Sequence, residues 1–216
     1  DSGYQDIYLQ RWNNDGSPVG GELLVSTTPG NATVPQSGHQ HVPDIAALSD
    51  GDLLIVWRDD QGNDGSSHGV YARRFDSASQ TFGDSFLVNT DNTIGAQYEP
   101  KVAALSDGGY VIVWRDDNQD GNSTAVMGQR YAADSSKVGA AFQVNEYTVG
   151  GQYEPAVIGL STGGFVVSFF NDNYGPDGTP NNVYLREYDA AGNPVDGDRL
   201  VNTYTTNNQQ QPAMAD

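Results

Sequence analysis

Residues 97–114 read QYEPKVAALSDGGYVIVW. The same phrase recurs as QHVPDIAALSDGDLLIVW at residues 40–57 and as QYEPAVIGLSTGGFVVSF at residues 152–169. In each copy a short apolar stretch leads through a small polar, Gly-containing turn to a second stretch that is almost continuously apolar. Gly, Asp and Ser at such a turn are typical of hairpins. A strand with one wet face would alternate, so the second stretch predicts a strand buried on both faces.

The flanking sequence extends this hairpin to a unit of four strands. A loop containing Asp-Gly follows the second strand and leads to a third strand, which reads VYARRF at residues 70–75. A shorter fourth strand follows, as at residues 85–89. The whole pattern returns about every 56 residues without any helical periodicity. A fixed spacing of this kind indicates one structural unit used repeatedly.

The repeat predicts how the chain is divided. We assign a half unit with only the third and fourth strands to residues 1–39, full units to 40–96, 97–151 and 152–208, and the start of a further unit to 209–216. This pattern predicts an all-β fold of repeated four-stranded antiparallel units that stack as β-propeller-like blades. Tandem small β-sandwiches are the alternative. We expect a segment of a longer chain, whose open β edges pair with other copies or with the rest of the parent chain.

Composition excludes several classes of partner and site. The 216 residues include 10 basic and 28 acidic side chains, and the net charge is −18. This charge repels nucleic acid and anionic membranes, so we predict no nucleic-acid partner and no membrane insertion. There is no cysteine, which excludes disulfides, thiolate metal sites and a thiol nucleophile. A surface rich in carboxylates suits hard cations such as Ca²⁺.

The loop between the second and third strands contains oxygen-bearing side chains at the spacing of a calcium loop. Residues 116–121 read DDNQDG, and oxygens at alternate positions followed by Gly can converge on one cation. Met127 stands where an EF-hand has its bidentate Glu, so an EF-hand is excluded. The ordinary alternative is a tight turn, which uses the same residue types. The candidate calcium ligands here are Asp116, Asn118 and Asp120, with Asp117, and in the other units Asp60, Asn63, Asp64, Asp172, Asn173 and Asp177.

The Gln-x-x-Pro corner that opens each unit is a candidate ligand-binding rim. Two units place an aromatic and an acidic residue between the Gln and the Pro, and repeated around a ring these could contact a sugar. The alternative is that Gln and Pro only fix the backbone between neighbouring units. The candidate ligand-binding residues are Tyr98, Glu99, Tyr153 and Glu154.

No side chain is assigned a catalytic role. Arginines share one position of the third strand, and catalytic sites break repeat symmetry, so we interpret them as structural. The histidines show no metal-ligand spacing, and we interpret them as ordinary loop residues. The arginines are Arg11, Arg74 and Arg130, and the histidines are His39, His41 and His68.

The repeated phrase resembles repeats of large secreted bacterial proteins, including adhesins, that often carry RTX-type calcium repeats. The resemblance covers essentially the whole chain, although the G-G-x-G-x-D nonapeptide of RTX repeats is absent. It implies an extracellular or cell-surface bacterial protein associated with calcium.

We therefore predict a non-enzymatic, calcium-associated repeat domain that serves adhesion or structural assembly, with Ca²⁺ as its cofactor. The alternative is a carbohydrate-binding, lectin-like β-propeller with glycans as partners. An extracellular glycosidase is the third interpretation, and it ranks below the others because we find no asymmetric acid pair and no arginine cluster in the sequence.

Overall fold

A computed structural model of the chain describes residues 3–31, 33–117, 119–172, 181–203 and 209–214. These residues form fifteen β-strands and no helix. Accordingly, this part of the chain has no helix that could cross a membrane. The strands are β1 (Tyr8–Trp12), β2 (Pro18–Leu24), β3 (Gln40–Ala47), β4 (Leu53–Asp59), β5 (Gly69–Asp76), β6 (Thr81–Phe82), β7 (Phe86–Leu87), β8 (Gln97–Ala104), β9 (Tyr110–Asp117), β10 (Thr124–Tyr131), β11 (Lys137–Gln143), β12 (Gln152–Gly159), β13 (Phe165–Asn171), β14 (Asn182–Tyr188) and β15 (Arg199–Leu200).

The strands form one two-stranded sheet and three larger antiparallel sheets. β1 and β2 form the half blade. The first blade is ordered β3-β4-β5-β6, and β7 also pairs with β5. The second blade is ordered β8-β9-β10-β11 and the third β12-β13-β14-β15. Each blade is a meander, and its first strand is innermost because β3, β8 and β12 line one common cavity. The predicted all-β fold of four-stranded, propeller-like blades is confirmed.

The core lies between blades that are stacked face to face. Leu54 and Val56 of β4 pack with Ile112 of β9 in one cluster, while Val113 packs with the third blade in the next. A second strand is therefore covered on both faces, as the continuous apolar run predicts. The equivalent aromatic residues Trp57, Trp114 and Phe169 are all buried, as predicted.

The Gln-x-x-Pro corner is a β-bulge at the start of each innermost strand. The pairing register shifts there in all three blades, for example between Tyr98 and Lys101. The residue before the Pro has a left-handed backbone, with φ of 51° at Val42 and 53° at Glu99 and at Glu154. Such bulges bend a strand and re-aim its side chains. The motif thus has a backbone function in every unit.

A buried polar contact joins each blade to the next. Oδ1 of Asn145 accepts the backbone N–H of Val126 in its own blade at 2.9 Å. Its amide donates to Oε1 of Gln152 in the following blade at 3.0 Å. Because both ends are buried, an unpaired amide here would be costly. The equivalent contacts join Asn89 to Gln97 and Asn202 to Gln209.

The repeated arginines also bridge blades. Nη1 of Arg74 donates to the backbone oxygen of Ala133 at 2.7 Å. Arg130 repeats this contact with Ala190 at 3.0 Å. Each side chain therefore holds the turn between the third and fourth strands of the following blade, which agrees with the structural interpretation.

The innermost strands surround a cavity of about 570 Å³. Its wall is made by β3, β8 and β12 together with residues 212–214. Most of the residues that line it have small, apolar side chains, and its charged side chains are Asp44 and Lys101, 4.0 Å apart. The cavity marks the axis around which the blades are arranged.

Candidate functional site

Chain direction determines which loops meet at the same end of the blades. Strands alternate in direction within a meander, so the loop between the second and third strands and the connection to the next blade emerge together. The tight turns emerge at the opposite end. We call the first end the loop end. It carries residues 60–68, 88–96 and 119–123, and each innermost strand begins there.

Two histidines lie near one acidic side chain at the loop end, and the third histidine stacks on one of them. The Asp60 carboxylate is 3.2 Å from Nε2 of His41 and 3.8 Å from Nε2 of His68. Arg58 donates to Asp60 through Nε at 2.6 Å and Nη2 at 3.1 Å. The His39 ring stacks on His41, with centroids 5.8 Å apart. We call these five residues the histidine cluster.

The histidine cluster departs from the repeat. The sequence analysis interpreted its histidines as ordinary loop residues and named Asp60 as a candidate calcium ligand. His41 stands where the next two units have Tyr98 and Tyr153, and His68 stands where the second blade has Thr124. Sheet pairing places His41 opposite Arg58 across β3 and β4. The signal available in the sequence was this break in symmetry, confined to one unit.

Tyr98 joins the histidine cluster to the second blade. The guanidinium carbons of Arg115 and Arg58 lie 4.0 and 5.4 Å from its ring centroid. The His68 ring is 5.0 Å away, in a tilted arrangement. Cation–π contacts of this kind hold an aromatic ring in place. Arg115 also lies over Tyr153, at 5.2 Å, so two of the predicted rim residues adjoin one arginine.

The two predicted rim glutamates bind the protein backbone. Glu99 accepts the N–H of Glu154 at 2.8 Å and a bond from Arg115 at 3.2 Å. Glu154 in turn accepts the N–H of Gln211 at 2.6 Å. Each carboxylate thus ties its bulge to the same bulge of the following unit, so the structural alternative for this corner describes their contacts.

Asp116, a predicted calcium ligand, has its side chain inside the blade. Its carboxylate accepts from the Trp114 indole at 3.1 Å and from the Gln97 amide at 3.3 Å. Burial raises the pKa of Asp116 to about 6, while the bonds from Trp114 and Gln97 act in the opposite direction. Burial likewise raises the pKa of Asp59, the equivalent residue of the first blade. The third blade has neutral Asn171 in this place.

Asp117 and Asp120 contact different groups from those that Asp116 contacts. Asp117 is 4.0 Å from Nε of Arg115. Asp120 accepts the backbone N–H groups of Asn122 and Ser123 at 3.0 and 3.1 Å, which is the geometry of a turn-forming Asp.

The remaining candidate ligands also make local contacts. Asn63 donates to Asp59 at 2.7 Å, Asp64 accepts from the N–H of Ser66 at 3.0 Å, and Asp172 accepts from that of Gly151 at 2.7 Å. In the part of the chain that the structure describes, no group of three or more acidic or histidine side chains is arranged to hold a metal ion. The candidate ligands Asn118, Asn173 and Asp177 lie outside the described residues, and calcium binding stays a prediction.

The fold is shared with solved carbohydrate-active enzymes. No protein-family model and no curated protein matches this sequence. The structure of an α-L-arabinanase from Penicillium chrysogenum complexed with arabinobiose matches with a TM-score of 0.58 and 17% identity, over 77% of this chain and 50% of that one. An endo-arabinase from Bacteroides thetaiotaomicron matches at 0.52 and 15%, over 94% and 75%.

A Hadza microbial sialidase matches with a TM-score of 0.51 and 10% identity, over 76% of this chain and 37% of that one. This chain therefore spans about half the length of the Penicillium arabinanase and less of the sialidase. At such identities the likeness establishes the fold.

These matches correct two predictions made from the sequence. The prediction of a non-enzymatic, calcium-associated repeat domain is wrong, because the matched solved structures described above are arabinanases and a sialidase. The prediction of no enzymatic activity is wrong on the same finding. The carbohydrate-binding alternative agrees with the matches better. The repeated Asn, Gln and Arg residues join neighbouring blades.

Proposed function

We propose that this chain forms part of a carbohydrate-binding β-propeller and that the histidine cluster at the loop end contacts the sugar. The observation that carries this proposal is the convergence of His41 and His68 on Asp60. No repeat-wide structural requirement explains these histidines, because the other units build the same blades without them. The matches to arabinanases support a sugar as the ligand class.

The chemistry of the cluster suits sugar hydroxyl groups. A hydroxyl both donates and accepts hydrogen bonds, and imidazole nitrogens, a carboxylate and a guanidinium offer both kinds of partner. These side chains are half-buried, with 31% of His41 and 20% of Asp60 exposed. They are also held in place by their contacts with one another. A site that is already ordered loses less conformational entropy when it binds.

Charge balance favours a neutral sugar. Arg58 is paired with Asp60, and Arg115 lies 3.2 Å from Glu99 and 4.0 Å from Asp117. Both guanidinium groups near the site therefore have acidic partners, and the chain as a whole carries −18. An anionic sugar would meet an unfavourable field.

Binding is tested with a panel of neutral oligosaccharides that includes arabinobiose. We expect saturable heat release in isothermal titration calorimetry, and we expect His41→Ala and His68→Ala to weaken binding at least about tenfold. Glu22→Ala, an exposed change on β2, is the control and should bind like the unchanged chain. Binding that is equal in all four proteins would place the sugar elsewhere and overturn the proposal.

Glycoside hydrolysis at the same end is the second candidate function, favoured by the matched arabinanases and sialidase. Most glycoside hydrolases use a pair of carboxyl groups that flank the glycosidic bond, and Asp60, Glu99 and Asp117 all lie at the loop end. Incubation with arabinan oligosaccharides tests it: product release that is lost in Asp60→Asn but kept in Asp134→Asn, at the opposite end, would support hydrolysis. Binding without any product release would leave carbohydrate binding as the function.

A further inference from the structure

Ser67 stands at the edge of the histidine cluster, and its side chain contacts that of His68. Oγ of Ser67 lies 2.9 Å from Nδ1 of His68. Nε2 of the same ring lies 3.8 Å from Oδ1 of Asp60. A hydroxyl, an imidazole and a carboxylate therefore follow one another in space, which is the order of groups that activates a serine for nucleophilic attack.

The two ring nitrogens of His68 have different neighbours. The Asp60 carboxylate faces Nε2 and favours the tautomer that carries its proton on that nitrogen. Nδ1 then has a free lone pair, 2.9 Å from the Ser67 hydroxyl whose proton it can accept. The distance from Nε2 to Asp60 is that of an ion pair rather than a hydrogen bond, and such contacts in catalytic sites often shorten when substrate binds.

The other two members of the arrangement are held by further contacts. Arg58 donates two hydrogen bonds to the Asp60 carboxylate, and the Tyr98 ring lies 5.0 Å from the His68 ring. Ser67 and His68 are both partly exposed. A ligand can therefore reach the hydroxyl from solvent while the base stays in place.

The second blade has the same serine beside a different residue. Ser123 and Thr124 occupy the repeat positions of Ser67 and His68. Thr124 is buried, and its hydroxyl donates to the backbone oxygen of Gln152 at 3.0 Å, so it joins two blades. The His68 side chain instead contacts Ser67. The pairing of a serine with a base thus departs from the repeat.

We propose that Ser67 is a nucleophile, with His68 as its general base, and that it hydrolyses a carboxylic ester. Oγ attacks the ester carbonyl carbon as its proton passes to Nδ1, and the alcohol then leaves with that proton. Water next attacks the acyl group on Oγ, gives a proton to Nδ1 and releases the carboxylic acid, while Oγ recovers the proton. Asp60 is a positioning residue. The ester and water are the only reactants.

A neutral ester suits this site. The chain carries −18 and Asp60 lies beside the base, so an anionic ester would meet an unfavourable field. The chemical step requires an ester and no contact with a sugar. An O-acylated neutral sugar also meets the proposed function, and only this choice of alcohol rests on that function.

The first test treats the whole chain with a fluorophosphonate, a probe that reacts with activated serines. We expect one adduct on the intact chain, located at Ser67 by peptide mass spectrometry, and measurable hydrolysis of p-nitrophenyl acetate. Ser67→Ala and His68→Gln should each lower labelling and hydrolysis at least about tenfold. Ser123→Ala, at the same repeat position of the second blade, is the control and should leave both unchanged.

Cysteine variants make a second test that does not depend on how the probe fits. The chain has no cysteine, so Ser67→Cys and Ser123→Cys each introduce a single thiol, whose reactivity is measured with iodoacetamide. A thiol beside a histidine loses its proton more readily and reacts faster. Adding His68→Gln should therefore slow alkylation at least about tenfold in Ser67→Cys and leave it unchanged in Ser123→Cys.

Circular dichroism checks that every variant is folded. Absence of labelling in the folded chain, adducts on other serines, or equal alkylation of Ser67→Cys with and without His68 would overturn the proposal. Labelling at Ser67 without binding of any neutral oligosaccharide would support the esterase and overturn the proposed function. Oligosaccharide binding without labelling would do the reverse.

Discussion

Asp116 shows how one residue acquires its role from the strand that carries it. β9 continues through Asp117, and side chains two apart on a strand share a face, so Asp116 points inward with Trp114. The sequence pattern D-x-N-x-D-G suggested that Asp116 is a ligand in a loop, because the pattern does not show that strand β9 extends through this residue. Strand alternation counted from Trp114 places Asp116 on the buried face, where the third blade has Asn171.

The raised pKa of Asp116 predicts a pH dependence of stability. Its folded pKa of about 6 exceeds the ordinary value of 3.8. Between these values the folded chain holds the proton more tightly than the unfolded chain, so the free energy of unfolding falls as pH rises and stays lower above that range. Asp116→Asn should flatten this slope, because the amide does not titrate.

Urea denaturation in chelator, at about pH 4.5 and about pH 7.5, measures the effect of Asp116→Asn. The exposed turn variant Asp134→Asn is the control and should keep the slope. A loss of stability in Asp116→Asn at the higher pH, with an unchanged slope, would contradict the assignment.

Val42 offers a second test at the residue scale. It is exposed and β-branched, yet its φ is 51°, a conformation that costs such residues roughly 1–3 kcal/mol. Val42→Gly should relieve this strain and raise the free energy of unfolding by about 1 kcal/mol after the entropy cost of glycine. Glu99→Gly relieves similar strain but removes the bonds to Glu154 and Arg115, so it should not stabilise. A free energy of unfolding that is unchanged or lower in Val42→Gly would show that the bulge is not strained at Val42.

At the scale of the element, the four-stranded blade was predictable from the sequence. Its outermost strand was predictable only in part. The innermost, second and third strands follow from the apolar runs and the turns between them. The fourth strand of the first blade is split into β6 and β7, which pair with different parts of β5. The sequence could not show this, because short strands at a sheet edge depend on local pairing more than on residue pattern.

The loop after β9 carries the calcium prediction. Asp120 and its neighbours would need backbone and water oxygens to complete a calcium site, so we expect weak binding, in the range of ~10⁻⁴–10⁻³ M. The melting temperature should then rise in millimolar calcium, and Asp120→Ala should remove most of the rise while Asp134→Ala keeps it. Identical melting curves in calcium and in chelator would make these residues ordinary turn formers.

At the scale of the whole molecule, repeated and unrepeated residues have different tasks. The repeated Asn, Gln, Glu and Arg side chains connect neighbouring blades, and their spacing in sequence made the fold predictable. The histidine cluster brings together residues 39, 41, 58, 60 and 68, and the pairing of β3 with β4 places His41 opposite Arg58. No local sequence motif predicts that these residues contact one another, so the structure was needed to identify the candidate site.

The central claim is that a sugar binds at the loop end beside the first blade. The most direct measurement is a titration of the isotopically labelled chain with the tightest-binding neutral oligosaccharide, followed by NMR of the histidine rings and backbone amides. We predict concentration-dependent shifts at His41, His68 and Tyr98, with none at the opposite turns around Gly51 and Gly108. Shifts confined to those turns, or no shifts with any sugar of the panel, would contradict the account.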